Sequence, residues 1–216
     1  LCYNITCYRY EKPQAGRLRE FHQFGVEMAG PPHASADAEV ISLAKQIIDM
    51  VGIKGIELYI NSIGCPECRP SYRTALLNYF SQYEAELCDT CRERLQKNPL
   101  RVLDCKSPVC SGIAKNAPKT LEHLCDGCNA HFEKLKSLLD ECGVEYIVDP
   151  SIVRGLDYYT GAVFEFIAEG IGAQSTVCGG GRYDGLVESL GGPKLSGIGF
   201  GMGITRLILA MRELGI

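Results

Sequence analysis

The sequence predicts an α+β fold in which a helical, cysteine-rich insertion lies between two parts that contain the strands. Residues 1–62 and 143–216 hold segments with strand-like alternation, whereas residues 63–142 favour helices joined at prolines. Of the 12 cysteines, 8 fall between Cys65 and Cys128. These observations predict a core in two parts, 1–62 and 143–216, interrupted by an insertion domain at 63–142.

The first part begins with a predicted β-hairpin, because Pro13-Gln14-Ala15-Gly16 is typical of a turn between two charge-dense segments. A helix is predicted over 36–51, where apolar side chains keep helical spacing, with Ser35 as its cap and Gly52 at its end. The alternation over 55–60 predicts a strand.

The insertion is predicted to be mostly helical, because prolines separate its amphipathic segments. Its predicted helices cover 71–80, 84–96 and 130–142. The third part returns to strands and ends in a helix. Its predicted strands cover 144–148, 162–167, 176–178 and 197–202, and its helix covers 204–214.

Composition excludes several classes of protein. The 216-residue chain has a net charge of −4, so any nucleic acid must be bound by a local basic patch. No apolar run approaches the ~20 residues that a membrane span needs, which argues against a membrane partner. The N-terminal residues lack a secretory signal, so we expect a cytoplasmic protein with reduced cysteines. Both ends, Leu1 and Ile216, are expected to be cuts in a longer protein.

The hairpin presents candidate ligand-binding groups on one face of its second strand. A period of two places Gln23 and Glu27 on either side of Gly25, while the opposite face, with His22, Phe24 and Val26, is expected in the core. An amide and a carboxylate around a glycine suit a small ligand that carries an ammonium group. Arginines suit phosphate oxygens, and the hairpin offers Arg9, Arg17 and Arg19. The alternative is an exposed hairpin laced with salt bridges.

Three glycine-containing segments are further candidates. Residues 153–161 place Arg154, Tyr158 and Tyr159 between glycines, which is typical of a close approach to a ligand. The glycine triplet at 179–181 suits either a ligand cradle or a tight turn. Residues 197–203 put four glycines on one strand face, against which a flat ring can lie. Arg206 follows in the first turn of a helix, where the helix dipole disfavours a cation, and this position indicates a ligand anion.

Together these segments resemble the histidyl-tRNA synthetases, a family of class II aminoacyl-tRNA synthetases, in the catalytic domain of their bacterial type. Residues 7–27, CYRYEKPQAGR through FHQFGVE, resemble motif 2 of that family. VRGLDYYTGAVF at 153–164 resembles its histidine-specific signature, and GGGRYDGL at 179–186 the companion loop. GIGFGMGITR at 197–206 resembles its motif 3. The segments occur in order and cover essentially the whole chain.

The resemblance implies a six-stranded antiparallel class II sheet with flanking helices, interrupted by the helical insertion. It also implies a ligase that activates histidine with ATP and Mg²⁺ and transfers it to the histidine tRNA, as a homodimer in the full-length protein. The parts of the family expected before Leu1 and after Ile216 are motif 1 and the anticodon-binding domain. We therefore expect the segment alone to charge tRNA weakly or not at all.

The resemblance also implies roles for single residues. Arg9 would hold the α-phosphate, Arg206 the γ-phosphate, and Arg154 would be the catalytic arginine at the α-phosphate. Arg17 and Gly201 are expected at the ATP as well. The residues expected at the histidine are Gln23 for its amino group, Glu27 and Tyr159 for its imidazole, and Tyr158 as pocket lining.

Two other functions remain open at the level of sequence. The first is a synthetase-like regulatory subunit of ATP phosphoribosyltransferase, which binds histidine without aminoacylation. The charged residues retained here favour the enzyme over this paralogue. The second is a zinc-stabilised nucleic-acid-binding module, which would explain only the middle of the chain.

The clustered cysteines predict a structural zinc site in the insertion. Cys-x-x-Cys spacing is typical of tetrahedral zinc sites, and the candidate ligands are Cys65, Cys68, Cys88, Cys91, Cys125 and Cys128. Cys105 and Cys110 form a fourth, less regular pair, which leaves room for two sites. The spacing does not decide which pairs combine, and free buried thiols are the alternative.

Overall fold

A computed structural model of the chain describes residues 1–10, 12–13, 18–103, 105–152, 158–168 and 176–216, apart from the side chains of residues 213 and 214. The first part contains β1 (Cys2–Tyr8), β2 (Glu20–Gly30), α1 (Ala34–Val51) and β3 (Ile56–Ser62). The middle contains α2 (Arg69–Ser81), α3 (Asp89–Lys97), α4 (Pro108–Ala114) and α5 (Asp126–Glu141), with short 3₁₀ turns at Pro99–Val102 and Thr120–His123. The last part contains β4 (Ile147–Val148), β5 (Ala162–Ala168), β6 (Thr176–Arg182), α6 (Leu186–Ser189), β7 (Ser196–Gly203) and α7 (Ile204–Leu214).

The described strands form one seven-stranded sheet in the order β1-β2-β7-β6-β5-β3-β4. Neighbouring strands from β1 to β3 are antiparallel, and only the two-residue β4 runs parallel to its neighbour β3. The α+β class with an antiparallel six-stranded core is therefore confirmed, with one short strand added at an edge. Strands that are distant in sequence, β2 and β7, are neighbours in the sheet.

Helix α1 packs on the sheet with the apolar stripe that the sequence predicted. Ile41 and Ile48 are buried among side chains of the central strands, including Phe164 and Phe200. Gly52 ends the helix in the left-handed conformation at φ 78°, which favours glycine. The predicted Ser35 cap is wrong. His33 occupies the cap position without a side-chain bond, because the start of the helix is held by a buried arginine described below.

Helices α2 to α4 enclose a small core of their own. Tyr72, Leu76, Phe80 and Leu95 are buried there with two cysteines, Cys91 and Cys110. Helix α5 instead buries Phe132, Leu135 and Leu139 in the main core against α1. The two ends of the insertion are therefore fixed to the sheet and to α1, while its middle packs on itself. The bounds 63–142 stay a prediction.

Several local predictions need correction. His22 is exposed instead of buried, because it lies near the beginning of β2 beside α7, where the Thr205 hydroxyl accepts its backbone N–H. The glycine triplet 179–181 is part of β6 and not a turn. Helix α3 begins at Asp89 rather than near residue 84, since Cys88 caps it. Residues 14–16 of the predicted hairpin turn lie outside the described residues.

Across the described ranges, none of the helices combines the length and the apolar character that crossing a membrane requires.

Candidate functional site

The centre of the sheet carries a row of glycines on one face. Gly25 of β2 lies opposite Gly201 of β7, and Gly201 lies opposite Gly179 of β6. Tyr3 of β1 lies opposite Gly25 and bounds the row on one side. We call the surface of Gly25, Gly179, Gly199 and Gly201 the glycine floor. It matches the bare strand face that the sequence predicted for residues 197–203.

Side chains that lie over the floor leave no room for anything but glycine beneath them. A Cβ at Gly199 would lie 1.8 Å from Oε2 of Glu27 and 2.4 Å from the backbone oxygen of Val26. A Cβ at Gly25 would lie 2.1 Å from Cζ of Tyr3. Both distances are far below the ~3.5 Å at which carbon atoms make contact. The floor is therefore required by the groups that it supports.

Four polar side chains form a connected network over this floor. The Tyr183 hydroxyl donates to Oε2 of Glu27 at 2.5 Å, and the Tyr3 hydroxyl donates to Oε1 at 3.3 Å. The amide nitrogen of Gln23 donates to the Tyr3 oxygen at 3.2 Å. An ionised carboxylate accepts about four hydrogen bonds, so the two tyrosines use about half of the capacity of Glu27. The arrangement can receive a further N–H donor.

Both tyrosines in this network are held in their protonated, donating form. Burial raises the pKa of Tyr183, and its hydrogen bond to Glu27 raises it further. Burial also raises the pKa of Tyr3. The network thus fixes the rotamer of Glu27 over the floor.

A pair of aromatic rings forms one wall of the site. The ring centroids of Tyr158 and Tyr159 lie 4.7 Å apart, and Tyr158 meets the edge of Tyr183 at 6.2 Å. Tyr159 is anchored in a small apolar cluster with Ile152. The cavity beside this wall has a volume of about 320 Å³, which suits a small ligand. Its lining residues are Tyr3, Gln23, Glu27, Tyr158, Tyr159, Gly179, Tyr183, Leu186, Gly199, Phe200 and Gly201.

Two of the predicted phosphate-binding arginines lie toward the beginning of β2. The guanidinium carbon of Arg9 lies 3.7 Å from the ring centroid of Phe21, a cation–π contact that orients it. Arg206, in the first turn of α7, donates to the backbone oxygen of Thr176. Phe21 and Glu27 are six residues apart on one strand, or about 20 Å. The face of β2 from Phe21 to Glu27 is therefore long enough for an amino acid joined to a nucleotide.

The structure brings together Gln23, Glu27, Tyr158, Tyr159 and Gly201 in one cavity. The predicted site residues Arg17 and Arg154 lie outside the described residues.

Sequence reasoning missed two members of the polar network, Tyr3 and Tyr183. Tyr3 shares a strand face with Cys7 and Arg9, so extending the alternation toward the N-terminus would have found it. Tyr183 follows the glycine triplet, for which a ligand cradle and a tight turn were both open, so the sequence did not give the direction of its side chain.

A buried ion pair supports the site from the side of α1. Arg182, at the end of β6, donates through two nitrogens to Asp37 of α1, and the side chains are 3% and 0% exposed. Burial opposes the charge on Arg182, but the hydrogen bonds and charge of Asp37 raise its pKa above the usual value. The Arg182 backbone oxygen accepts the N–H of Thr160 at 2.8 Å, next to the tyrosine pair.

The clustered cysteines form two separate groups of four. The neck group comprises Cys65, Cys68, Cys125 and Cys128, and the insert group comprises Cys88, Cys91, Cys105 and Cys110. Within each group all sulfur atoms lie within 4.8 Å of one another. Cys105 and Cys110, the pair given least weight from spacing, complete the second group. Two groups that can hold a metal ion are therefore present.

In each group one cysteine occupies the N-cap position of a helix, and its thiol ionises readily. Cys125 is at the N-cap position of α5 and Cys88 at that of α3. The backbone N–H of Cys128 lowers the pKa of Cys125 to about 7, and that of Cys91 lowers the pKa of Cys88 to about 7. Burial raises the pKa of the deeper thiols Cys91 and Cys128. A metal ligand must be a thiolate, so the capping cysteines are prepared for that role.

A basic groove lies on the insertion beside the neck group. Its volume is about 870 Å³, and five lining residues are cationic while one, Glu93, is acidic. The cationic residues are Arg69, Arg73, Arg94, Lys97 and Arg101. It is the local basic patch that a chain with a net charge of −4 needs to bind a polyanion.

Comparison with known proteins relates the chain to one family. A family profile described as "Histidyl-tRNA synthetase" matches residues 1–207. The histidine–tRNA ligase of Caldanaerobacter subterraneus subsp. tengcongensis is 57% identical over 216 residues, which is 100% of this chain and 52% of that protein. The histidine–tRNA ligase of Acetivibrio thermocellus is 56% identical with the same coverage. The chain thus spans about half the length of the curated relatives that it matches.

Solved structures agree with this relation. The apo histidyl-tRNA synthetase of S. aureus matches with a TM-score of 0.77 and 39% identity, covering 100% of this chain and 51% of that one. A protein described as an ATP phosphoribosyltransferase regulatory subunit/histidyl-tRNA synthetase, from Bacillus halodurans, matches with a TM-score of 0.64 and 26% identity, covering 97% of this chain and 57% of that one. The regulatory-subunit fold is therefore the more distant match of these two.

Proposed function

This chain belongs to the histidyl-tRNA synthetase family, and we propose that it supplies the catalytic core of a histidine–tRNA ligase. In that reaction histidine and ATP give histidyl-adenylate and pyrophosphate, and the histidyl group then passes to the 3′ end of the histidine tRNA. The observation that carries the proposal is the network of Gln23, Tyr3, Glu27 and Tyr183 over the glycine floor.

This network suits the groups that histidine carries. The carboxylate of Glu27 accepts a hydrogen bond from an imidazole N–H, and the amide oxygen of Gln23 accepts one from the ammonium group. Tyr158 and Tyr159 offer an aromatic wall for the ring. An amino acid that lacks the imidazole donors would leave Glu27 short of a buried hydrogen bond, and this penalty supplies the selectivity.

The chemistry of activation needs positioning and positive charge. The carboxylate of histidine is already ionised, so its attack on the α-phosphorus requires no general base. Arg9 and Arg154 are the groups proposed at the α-phosphate and Arg206 at the γ-phosphate, with Arg17 and Gly201 also at the ATP. Mg²⁺ bound with ATP adds positive charge at the phosphates. These cations stabilise charge that develops on the phosphoryl oxygens.

Histidine-dependent exchange of pyrophosphate into ATP, measured on the protein in its full natural length, tests the proposal. We expect exchange with histidine and none with amino acids that lack an imidazole. Histidine binding without any exchange would instead favour the regulatory subunit of ATP phosphoribosyltransferase. Absence of both would refute the proposal.

Replacing Arg154 with alanine should separate catalysis from binding. We expect the rate of adenylate formation to fall about 100-fold, as for loss of one donor to a developing oxyanion, while histidine affinity changes less than about threefold. Pre-steady-state adenylate formation and calorimetry with histidine give the two values. Equal losses in both would contradict a role at the α-phosphate.

We infer that the basic groove on the insertion contacts tRNA, since phosphate binding needs clustered cations. The exchange of Lys97 for glutamine removes one of them. We expect it to lower the slope of log affinity against log salt by about one and to leave histidine-dependent exchange unchanged. Lys45→Gln, in an exposed pair with Asp49 on α1, is the matched control. Equal tRNA affinities for both variants would argue against this contact.

Further assignments follow from family membership and composition. We propose a homodimer in the full-length protein, a cytoplasmic location and an insertion domain spanning residues 63–142. We also propose structural Zn²⁺ bound by the clustered cysteine thiolates.

A further inference from the structure

We propose that the two cysteine groups are separate zinc sites with different tasks, and that the zinc of the neck group holds the tyrosine pair of the ligand cavity in position. The identity of the ligand as histidine rests on the proposed function, whereas the two metal sites are independent of that function.

The sulfur positions of the neck group fit a single tetrahedral ion. The Cys65 sulfur lies 3.6 Å from that of Cys68 and 3.9 Å from that of Cys125. Four thiolates around one zinc at ~2.3 Å lie about 3.8 Å apart. The backbone N–H of Cys125 also donates to the Cys68 sulfur at 3.1 Å, which stabilises a thiolate.

The insert group has the same geometry. The sulfur atoms of Cys88 and Cys105 lie 3.9 Å apart, and the backbone N–H of Cys88 donates to the Cys110 sulfur at 3.3 Å. With four sulfur ligands each group has no open coordination position, so both sites are structural. Sulfur-only tetrahedral sites select zinc over the oxygen-preferring magnesium and calcium.

The neck group lies where the insertion joins the rest of the chain. Cys65 and Cys68 lie between β3 and α2, on the segment that leads into the insertion, and Cys125 and Cys128 lie at the start of α5, which leads out of it. Helix α5 continues into the main core and bonds to α1, where His131 lies 2.5 Å from Asp37. One zinc would therefore fix both connections relative to the sheet.

Residues on both sides of Cys65 and Cys68 hold the segment that carries the tyrosine pair. Directly before Cys65, Gly64 accepts the backbone N–H of Gly161 at 3.0 Å, and Ile63 donates to the Gly161 oxygen at 2.8 Å. Directly after Cys68, the Arg69 guanidinium donates to the backbone oxygen of Tyr159. The segment from Ile63 to Arg69 thus clamps Tyr159 and Gly161.

Close packing makes this clamp sensitive to the neck group. A Cβ at Gly64 would lie 2.7 Å from Cβ of Cys68, so the turn has no spare room. Gly64 has φ 68°, in the left-handed region that favours glycine. A shift of Cys65 or Cys68 on loss of the metal would therefore move the partners of Tyr159.

The insert group lies away from this clamp. Its buried members, Cys91 and Cys110, pack with Leu95 and Val102 in the separate core of the insertion. Its zinc would stabilise helices α3 and α4, and with them the groove, without touching the tyrosine pair. Loss of the neck zinc should therefore affect the tyrosine pair, whereas loss of the insert zinc should affect α3, α4 and the groove.

Metal analysis of the protein in its full natural length, purified in reducing buffer without chelator, tests the two sites. We expect two zinc ions per chain, one after Cys65→Ser/Cys125→Ser and one after Cys88→Ser/Cys105→Ser. Cys142→Ser, an exposed thiol outside both groups, should keep two. Fewer than two zinc ions in the wild type, iron in their place, or loss of both ions in each double variant would overturn the proposal.

Calorimetry with histidine alone tests the positioning task. We expect the neck double variant to raise the Kd about tenfold, as for a displaced binding group, and the insert double variant to change it less than about twofold. Equal effects of both variants would overturn the neck site's role. A wild type with two zinc ions that binds no histidine would refute the proposed function and the positioning task, yet support the metal sites.

A conservative variant keeps the test valid if the serine variants do not fold. Histidine also ligates zinc, so Cys125→His should retain two zinc ions and histidine affinity within about threefold. Folded Cys125→His protein with one zinc ion and unchanged histidine affinity would show that the neck metal positions nothing.

Discussion

Replacing Glu27 with alanine is expected to reduce kcat/KM for histidine about 100- to 1000-fold in pyrophosphate exchange. A hydrogen bond to a charged group contributes about 1.5–3 kcal/mol, and a buried donor left without a partner costs about 1–3 kcal/mol more. Both losses occur at the substrate, because its imidazole N–H loses a charged acceptor and is then left in the cavity without a partner. The KM for ATP should change less than about threefold, since Arg9 packs against Phe21, about 20 Å along β2 from Glu27.

Two further variants separate the parts of this effect. Tyr183→Phe removes one donor to Glu27 and keeps the ring, so we expect kcat/KM for histidine to fall about tenfold. Glu27→Gln keeps the size of the side chain and one acceptor oxygen but not the charge. Its kcat/KM for histidine should lie between those of Tyr183→Phe and Glu27→Ala. If Glu27→Ala stays within threefold of the wild type, Glu27 does not bind the imidazole. If the loss appears equally in the KM for ATP, the pocket has collapsed as a whole.

Features that depend on local periodicity were predictable from the sequence. The glycine face of β7 and the positions of Gln23 and Glu27 around Gly25 follow from alternation within one strand, which does not depend on the neighbours. The helix 204–214 and the left-handed end of α1 at Gly52 are local in the same sense. Predicting these elements therefore required no knowledge of tertiary contacts.

Features that depend on contacts between distant segments were not predictable in this way. Which cysteine pairs combine into each group depends on the return of α5 to the end of β3. The spacing of cysteines along the sequence does not reveal that contact. The start of α1 at Ala34 is fixed by Arg182, 145 residues away from Asp37, and not by a local cap. Tyr183 enters the site because β6 continues through the glycine triplet. From the sequence alone, a tight turn explained the three glycines equally well.

The positions that sequence reasoning missed share a task, which is to hold the predicted groups in place. Tyr3 and Tyr183 fix Glu27. Arg69 fixes the backbone of Tyr159. A motif identifies residues that meet a substrate, whereas their supports come from other strands and are visible only after folding.

Replacing Asp37 with asparagine is expected to lower the free energy of unfolding by about 3–5 kcal/mol. This substitution keeps the shape of the side chain but leaves the Arg182 guanidinium, 3% exposed, with Asp184 as its remaining carboxylate partner among the described residues. Removing one partner of a buried ion pair leaves an uncompensated charge, and that penalty exceeds what the intact pair contributes. Urea denaturation of the protein in its full natural length measures the change from the midpoint at constant m.

The matched control lies on the same helix and removes the same charge at the surface. Asp49→Asn breaks an exposed pair with Lys45, and we expect a change of about 0.5 kcal/mol or less. Because Arg182 accepts the Thr160 N–H and precedes Tyr183, the Asp37 variant should also bind histidine more weakly than the Asp49 variant. Equal stabilities of the two variants would mean that Arg182 finds another counter-charge or reaches water, and the ion pair could then not be what holds α1 to the floor of the site.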